Sequence, residues 1–297
     1  MTLRVLFIGA VEFSRSCLEH LIVSEIDVVG VIGRTSSSVN SDFAPLDELA
    51  REAGIPFLAT KKINSQETVA WIKGLRPDVG FCFGWSQLIA AEAIAVPRLG
   101  IVGYHPAMLP QNRGRHPLIW ALALGLQETG STFFFMDEGA DSGDILSQRR
   151  LPILTDDTAG SLYARMTKTA LAQISEFLPQ LESGNFGRCP QDEALANVWR
   201  KRTIEDGRID WRMPAGNIHN LVRALAPPYP GATIRVDGSD IPVRKSEVLD
   251  TFVPNNLEPG RVLDVDRRAV SVVCGIGAIR LLDHDLSTMP NVGSFLG

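Results

Sequence analysis

The sequence predicts an α/β protein: a mostly parallel β-sheet with helices on both faces, followed by a small β-barrel or sandwich. Apolar strand runs alternate with segments of helical period up to about residue 188, and such alternation is typical of parallel sheets. Short strands at close spacing then follow a strong proline-glycine break. The length of 297 residues allows a substantial core in one large or two moderate domains.

The first part of the chain alternates strands with helices, whose ends are marked by glycine, proline or serine. In chain order the predicted elements are the strand Leu3–Ile8, ended by Gly9; the helix Glu12–Val23, with apolar residues at helical spacing; the strand Ile26–Ile32; the helix Ala44–Ala53, stopped at Gly54; the helix Gln66–Leu75; the strand Val79–Phe83; the strand Ile101–Tyr104; the helix Pro117–Leu124, ended by Gly125; the strand Thr132–Met136; and the helix Leu162–Leu181, preceded by Ser161.

The character of the chain changes near residue 188. The elements there are the polar connector Arg188–Glu193, the helix Ala215–Ala226, the break Pro227–Gly231 and the strands Ala232–Val236, Ile241–Val248, Gly260–Asp266, Ala269–Cys274 and Ala278–Leu282. Asp237-Gly238 and Cys274-Gly275 lie where tight turns between antiparallel strands are expected. We therefore predict a main domain over 1–188, a linker and connecting helix over 189–228, and a C-terminal domain over 229–297.

Composition and charge exclude several classes of protein. Hydrophobic residues make up 45% and charged residues 21% of the chain, as in ordinary soluble proteins. No apolar run approaches the roughly 20 residues that a membrane helix needs, and the apolar start is too short for a signal peptide. The four cysteines are scattered without metal-binding spacing, which indicates reduced thiols in a cytoplasmic protein and no zinc site.

The charge balance also bears on partners. The net charge of −5 disfavours a nucleic-acid partner, because proteins that bind nucleic acid usually carry a basic stripe. The compact basic runs Lys61-Lys62 and Arg200-Lys201-Arg202 are explained by solvated faces. Nothing in the sequence fixes the oligomeric state, and a homodimer stays open.

Two short segments carry the residues from which chemistry is expected. Gly103–Pro110 places His105 at the end of an apolar strand and before a proline-bounded loop. Asp137–Asp144 holds four carboxylates and two glycines directly after another apolar strand. Open parallel sheets bind ligands beyond the carboxyl ends of their strands, so the two segments can meet there. An imidazole oriented by a carboxylate is suited to proton transfer near neutral pH.

These segments resemble those of the formyltransferases that use 10-formyltetrahydrofolate, a family that includes methionyl-tRNA formyltransferase and the sugar-nucleotide N-formyltransferases. The family pattern is Asn-x-His, a Ser-Leu-Leu-Pro-type loop, an Arg-Gly step and an Asp-x-Gly loop. Here it reads Gly103-Tyr104-His105-Pro106, then Arg113-Gly114-Arg115, then Ala140-Asp141-Ser142-Gly143. The likeness extends from Val5 to Leu282, and it implies a Rossmann-like sheet domain followed by an OB-like barrel.

The resemblance implies an enzyme that moves a formyl group from 10-formyltetrahydrofolate to an amine. His105 and Asp141 match the family's pair in which the histidine donates to the formyl oxygen, while the aspartate holds the ring and favours its charged form. The family's asparagine, a second donor, is replaced by Gly103. Either a water or Asn112 supplies a donor in its place, or the chain binds folate without catalysis.

The resemblance also implies a donor pocket, and no metal is needed there. Its residues are Gln87, Leu88, Ile89, Arg115, Asp137, Glu138, Gly139, Ala140 and Asp141. Backbone amides and carbonyls suit the alternating donors and acceptors at the edge of a pterin ring. Asp137, Glu138 and Asp144 also fit a plainer role as turn and cap residues.

The expected acceptor is a small amine, and a nucleotide-linked amino sugar is favoured. The segment Arg34–Asp42 is polar with one arginine, which suits a phosphate backbone poorly, whereas the tRNA-acting relatives have a longer, basic loop. The alternatives are initiator tRNA or a carrier-bound aminoacyl group as acceptor, a folate-binding protein without turnover, and a hydrolase that releases formate.

Overall fold

The computed structural model describes residues 2–36, 42–254 and 256–296. Its strands are β1 Arg4–Ile8, β2 Asp27–Gly33, β3 Phe57–Ala59, β4 Val79–Cys82, β5 Ile101–His105, β6 Arg113–Gly114, β7 Glu128–Phe135, β8 Ile145–Pro152, β9 Val198–Trp199, β10 Ala232–Val236, β11 Ser239–Leu249, β12 Val262–Asp266, β13 Ala269–Val273 and β14 Ala278–His284. Its helices are α1 Glu12–Val23, α2 Asp47–Glu52, α3 Gln66–Leu75, α4 Ala91–Ile94, α5 Pro117–Ala123, α6 Ala159–Ser183 and α7 Ala215–Ala224. Two compact units contain them: Met1–Gly114, Gly130–Leu151 and Arg165–Val198 form the first, and Arg115–Thr129, Pro152–Ala164 and Trp199–Gly297 form the second.

A seven-stranded sheet in the order β3-β2-β1-β4-β5-β7-β8 is the centre of the first unit. The strands from β3 to β5 run parallel, and β7 runs antiparallel to β5. The carboxyl ends of the parallel strands therefore share one edge, where ligands of such sheets bind. His105 is the last residue of β5 and lies at this edge.

The two faces of this sheet carry different side chains, because successive residues of a strand point to opposite faces. One face is aromatic and is built from Phe7, Phe81, Phe83, Phe133 and, from α6, Phe177. The other face is mainly aliphatic and packs Leu6, Ile8, Cys82 and Ile101 with Val69 and Ile72 of α3. Helices cover both faces, which confirms the predicted class.

The sheet has more strands than the sequence predicted. β3 has only three residues, too few to show a period, and the sequence also did not reveal the four-residue α4. β8 is the edge strand beside β7, and most of its residues are partly or fully exposed, so it lacks the apolar run of a buried strand. α2 begins at Asp47, later than predicted, because Pro45 disfavours helical backbone at Ala44.

The second unit contains a five-stranded antiparallel sheet in the order β10-β11-β14-β13-β12. Ile218, Leu221 and Val222 of α7 are buried in the hydrophobic cluster that this sheet forms. The predicted turn Asp237-Gly238 joins β10 to β11, and both residues have positive φ, 49° and 78°. The predicted antiparallel C-terminal strands are confirmed. Within the described ranges, no helix has the length and apolarity needed to cross a membrane.

Candidate active site

His105 ends β5 with both ring nitrogens beside hydrogen-bond acceptors. Its Nε2 lies 2.7 Å from the backbone oxygen of Asn112, and its Nδ1 lies 3.5 Å from Oδ2 of Asp141. The first distance is that of a short hydrogen bond, whereas the second is an ion-pair contact longer than a good hydrogen bond. The His105 side chain is 5% exposed. The structure thus brings together the histidine and the aspartate that the sequence singled out.

Asp141 is held by its backbone conformation and by a hydrogen bond to its side chain. Its φ is +59°, in the left-handed region that aspartate and asparagine adopt more readily than most residues. Its Oδ2 accepts the backbone N–H of Gly114 at 3.0 Å. The same oxygen faces His105, so the carboxylate is fixed between the imidazole and a backbone amide. Backbone strain of this kind clusters at active sites and ligand clamps.

The rest of the Asp141 loop is a tight turn. Oδ1 of Asp137 accepts the N–H of Gly139 at 3.0 Å and the hydroxyl of Ser142 at 2.8 Å, which is the behaviour of a turn residue. Position 143 requires glycine, because a Cβ there would lie 1.8 Å from the backbone oxygen of Phe135. The exposed residues of the turn include Glu138, Gly139 and Ala140.

A side chain at position 103 would crowd its neighbours. A Cβ at this position would lie 2.9 Å from Cζ of Phe134 and 3.1 Å from Cγ of Met136. Phe134 pairs with Gly103 in the register between β5 and β7, so its ring fills the space that an asparagine would need. If the reaction uses a second hydrogen-bond donor here, that donor comes from another position or from water.

Asn112 is one of the two substitutes that the sequence analysis offers, and its backbone oxygen lies 2.7 Å from Nε2 of His105. A donor role for its side chain stays a prediction. Its φ is +64°, and its backbone N–H donates to Oδ1 of Asn197 at 2.8 Å. Its Oδ1 accepts from Nδ2 of Asn197 at 3.2 Å. These bonds fix the Asn112 carboxamide and leave its Nδ2 protons unused by the pair.

The loop after β4, predicted as one wall of the donor pocket, is held by Asn64. Nδ2 of Asn64 donates to the backbone oxygen of Leu88 at 3.0 Å, and its Oδ1 accepts the N–H of Ala90 at 2.8 Å. Leu88 is 64% exposed, and its contact with the folate stays a prediction. Ile89 is buried in the hydrophobic core, so its place in the donor pocket stays a prediction.

The other predicted pocket residues differ in how the structure places them. Nε2 of Gln87 donates to the backbone oxygen of Lys61 at 3.1 Å, which ties the same loop to the segment before α3. Arg115 belongs to the second unit, where its N–H donates to the backbone oxygen of Trp199 at 3.0 Å. Its place in the donor pocket stays a prediction.

The segment Arg34–Asp42, from which a small acceptor was predicted, is described only in part. Residues 37–41 lie outside the described residues. The prediction based on that segment therefore stays a prediction.

The sequence analysis did not identify the polar residues that hold the loop after His105 and the loop that contains Asp141. Nε2 of Gln148 donates to the backbone oxygen of Leu109 at 2.8 Å, and the hydroxyl of Thr132 donates to that of Ala107 at 2.6 Å. These bonds fix the loop that follows His105.

Gln191 holds the loop that contains Asp141, and it lies in the segment that the sequence predicts as a linker. No local pattern signals such a contact, since its partners are about 50 residues away.

The chain matches one family over most of its length. Residues 3–178 match the formyl transferase family, and residues 201–291 match the formyl transferase C-terminal domain. The methionyl-tRNA formyltransferase of Geobacter metallireducens is 34% identical over 291 residues, which cover 96% of this chain and 91% of that protein.

Two solved structures share the fold. WlaRD, a sugar 3N-formyl transferase studied with dTDP and 5-N-formyl-THF, has a TM-score of 0.74 at 17% identity and covers 97% of this chain and 100% of its own. The N-formyltransferase of Helicobacter canadensis, in complex with folinic acid and dTDP-3-aminofucose, has a TM-score of 0.73 at 17% identity and covers 96% and 100%. At this identity the likeness shows the fold alone.

Proposed function

The chain belongs to the formyl transferase family, and from that premise we propose that it moves the formyl group of 10-formyltetrahydrofolate to the amine of a small acceptor through His105 and Asp141. One observation carries the proposal. The imidazole at the carboxyl end of β5 meets the carboxylate of the Asp-x-Gly loop at 3.5 Å.

The reaction exchanges one carbon–nitrogen bond for another. A neutral amine attacks the formyl carbon, the bond from that carbon to N10 of the donor breaks, and the proton that the amine loses is returned to N10. The tetrahedral intermediate carries negative charge on the formyl oxygen, which positioned hydrogen-bond donors stabilise. Transfer should fall at acid pH, because a protonated amine has no lone pair for the attack.

His105 is better placed to act as a donor than as a base. Its Nε2 faces a backbone oxygen and its Nδ1 faces a carboxylate, so neither nitrogen presents a lone pair to an amine. We assign the Nε2 proton to the formyl oxygen, which replaces the Asn112 carbonyl as its acceptor when the donor binds. Asp141 holds the ring, and the 3.5 Å contact is expected to shorten, because catalytic hydrogen bonds are often long before substrate binds.

A small acceptor, of the nucleotide-linked amino-sugar class, is supported by the charges of the second unit. Its arginines are repeatedly paired with carboxylates: Arg200 with Asp206, Arg208 with Glu205 and Asp240, Arg212 with Asp210, Arg244 with Asp285, Arg261 with Glu258, and Arg280 with Asp266. Cations neutralised in this way add little to the binding of a phosphate backbone, whose affinity depends on cations that displace its counterions.

Initiator tRNA is the second candidate acceptor. The 34% identity to a methionyl-tRNA formyltransferase over 91% of that protein favours it. A nucleic-acid partner thus stands beside the sugar nucleotide as the alternative under test.

The experiment is a transfer assay with three arms: amino-sugar nucleotides, charged initiator tRNA, and no acceptor. Release of tetrahydrofolate and mass spectrometry of the acceptor are followed together. Formylation of an amino-sugar nucleotide supports the proposal, whereas formylation of tRNA alone replaces the acceptor. Formate release without an acceptor indicates a hydrolase, and donor binding without turnover indicates a folate-binding protein.

A further inference from the structure

We propose that Gln191 is a positioning residue for Asp141: its carboxamide holds the loop that aims the carboxylate at His105. The kinetic part of this inference rests on the proposed formyl transfer, whereas its structural part does not. Gln191 lies in the segment 189–228 that the sequence predicts as a linker. The inference therefore assigns a residue of that linker to the site.

The side-chain nitrogen of Gln191 binds the Asp141 loop at two points. Its Nε2 donates to the backbone oxygen of Asp141 at 2.9 Å and to that of Gly143 at 2.7 Å. A carboxamide nitrogen carries two protons, and each has an acceptor here. Because the two carbonyls flank Ser142, one side chain sets the path of the loop on both sides of the turn.

The orientation of this carboxamide is fixed by Arg113. Oε1 of Gln191 accepts from Nε of Arg113 at 3.2 Å and from its Nη2 at 2.8 Å. A flipped carboxamide would turn its donors towards the guanidinium and its oxygen towards two carbonyls, so only one orientation satisfies all four bonds.

Arg113 is itself held from the connector. It is 6% exposed, and its guanidinium donates to both carboxylate oxygens of Glu193, at 2.9 Å and 2.7 Å. The hydrogen bond that Arg113 donates to Glu193 is the main cause that raises the pKa of Arg113, and the charges of Asp137 and Asp141 act in the same direction. The permanent cation thus balances the acidic loop while it holds Gln191.

Hydrogen bonds from Gln191 and from Gly114 hold Asp141 from two sides. The Arg113 side chain fixes Gln191, which holds the Asp141 backbone. The next residue, Gly114, donates its N–H to the Asp141 side chain at 3.0 Å. Catalytic groups must be held to within about 0.5 Å of their working positions, and this arrangement fixes both the peptide and the carboxylate of Asp141.

The test is Gln191→Glu, which keeps the shape and the acceptor for Arg113 but removes the two donors. Gln180→Glu, at an exposed position of α6, adds the same charge and is the control. Gln191→Glu should lower kcat by about 10²-fold, the cost expected of a misplacement of roughly 1 Å, while Gln180→Glu should keep the wild-type kcat. In an Asp141→Asn background it should have little further effect, because groups that act as a unit are not additive.

A second readout separates this inference from the proposed function. The backbone amide of Gly114 and the ring nitrogens of His105 are followed by nitrogen NMR, which needs no turnover. Both should shift in Gln191→Glu and in the milder Gln191→Met, and neither in Gln180→Glu. If wild type transfers no formyl group but these signals shift, the positioning role stands and the proposed function fails. Unmoved signals, or losses that add to those of Asp141→Asn, would overturn the positioning role.

Discussion

At the scale of single residues, Gly103 and Phe134 form a pair matched in size. The glycine leaves out a side chain, and the ring occupies the space, 2.9 Å from where a Cβ would stand. Because this space is filled, we expect that an asparagine introduced at Gly103 alone would not supply a hydrogen-bond donor.

We expect Gly103→Asn to destabilise the protein by about 1–3 kcal/mol, as overpacking of a core does, and to bring no gain in kcat. Adding Phe134→Leu, a smaller apolar side chain that still fills most of the site, should relieve the crowding and recover part of the stability. Gly74→Asn is the control, because a Cβ at Gly74 meets nothing within 4 Å. Thermal unfolding measures the change in stability, and transfer kinetics measure the change in kcat. A Gly103→Asn variant with wild-type stability and a higher kcat would show that Phe134 does not block the position.

At the scale of elements, the loop after β4 has a dedicated clamp in Asn64. This side chain binds the backbone of Leu88 and Ala90 as a neighbouring strand would. Asn64 acts on a loop other than those of His105 and Asp141. A change at Asn64 should therefore weaken the binding of 10-formyltetrahydrofolate and leave the rate of the chemical step unchanged.

Asn64→Asp tests this separation. The aspartate can still accept from Ala90 but cannot donate to the carbonyl of Leu88, which loses its partner at a cost of about 1–3 kcal/mol. Calorimetry with a stable 10-formyltetrahydrofolate analogue should show Kd raised about tenfold or more, with kcat at saturating donor unchanged. Asn185→Asp, at an exposed position, should leave Kd at the wild-type value. An unchanged Kd in Asn64→Asp would remove this loop from the donor pocket.

The elements also show how far sequence reasoning extends. The helices α1 and α3 begin and end where the sequence predicted, because their periodic apolar faces are local signals. The sequence singled out His105 and Asp141 at two strand ends, but the reason it gave is wrong for the second strand. β7 runs antiparallel to β5, so its carboxyl end points to the opposite edge of the sheet. The loop after β7, not parallel topology, places Asp141 beside His105. The role of Gln191 was not predicted, because hydrogen bonds to residues distant in sequence leave no local pattern. β8 was not predicted, because a partly exposed edge strand lacks a continuous apolar run. The packing of Phe134 against Gly103 likewise depends on a strand register that composition does not reveal.

At the scale of the whole molecule, charge leads to different expected salt dependences for the two candidate acceptors. The chain has a net charge of −5, and arginines of the second unit are paired with carboxylates. An acceptor with one or two phosphates releases few counterions, whereas a protein with 6–10 phosphate contacts loses about 10³–10⁵ in affinity between about 50 and 200 mM salt.

We therefore expect KM for an amino-sugar nucleotide to rise less than about tenfold over that salt range. Steady-state transfer at several salt concentrations measures it, and donor Kd at the same concentrations corrects for effects on the folate. A loss of acceptor affinity over this salt range as large as that of a protein with many phosphate contacts would argue for a polynucleotide acceptor.

The most direct test of the central claim, that His105 and Asp141 transfer the formyl group, is a single-turnover measurement. Wild type and Asp141→Asn are mixed with the same 10-formyltetrahydrofolate and acceptor, and the formylated product is followed in time. We expect Asp141→Asn to lose about 10²-fold or more in rate, the size expected when a positioned hydrogen-bond donor is lost, while it still binds 10-formyltetrahydrofolate. Equal rates in the two proteins would contradict a catalytic role for Asp141.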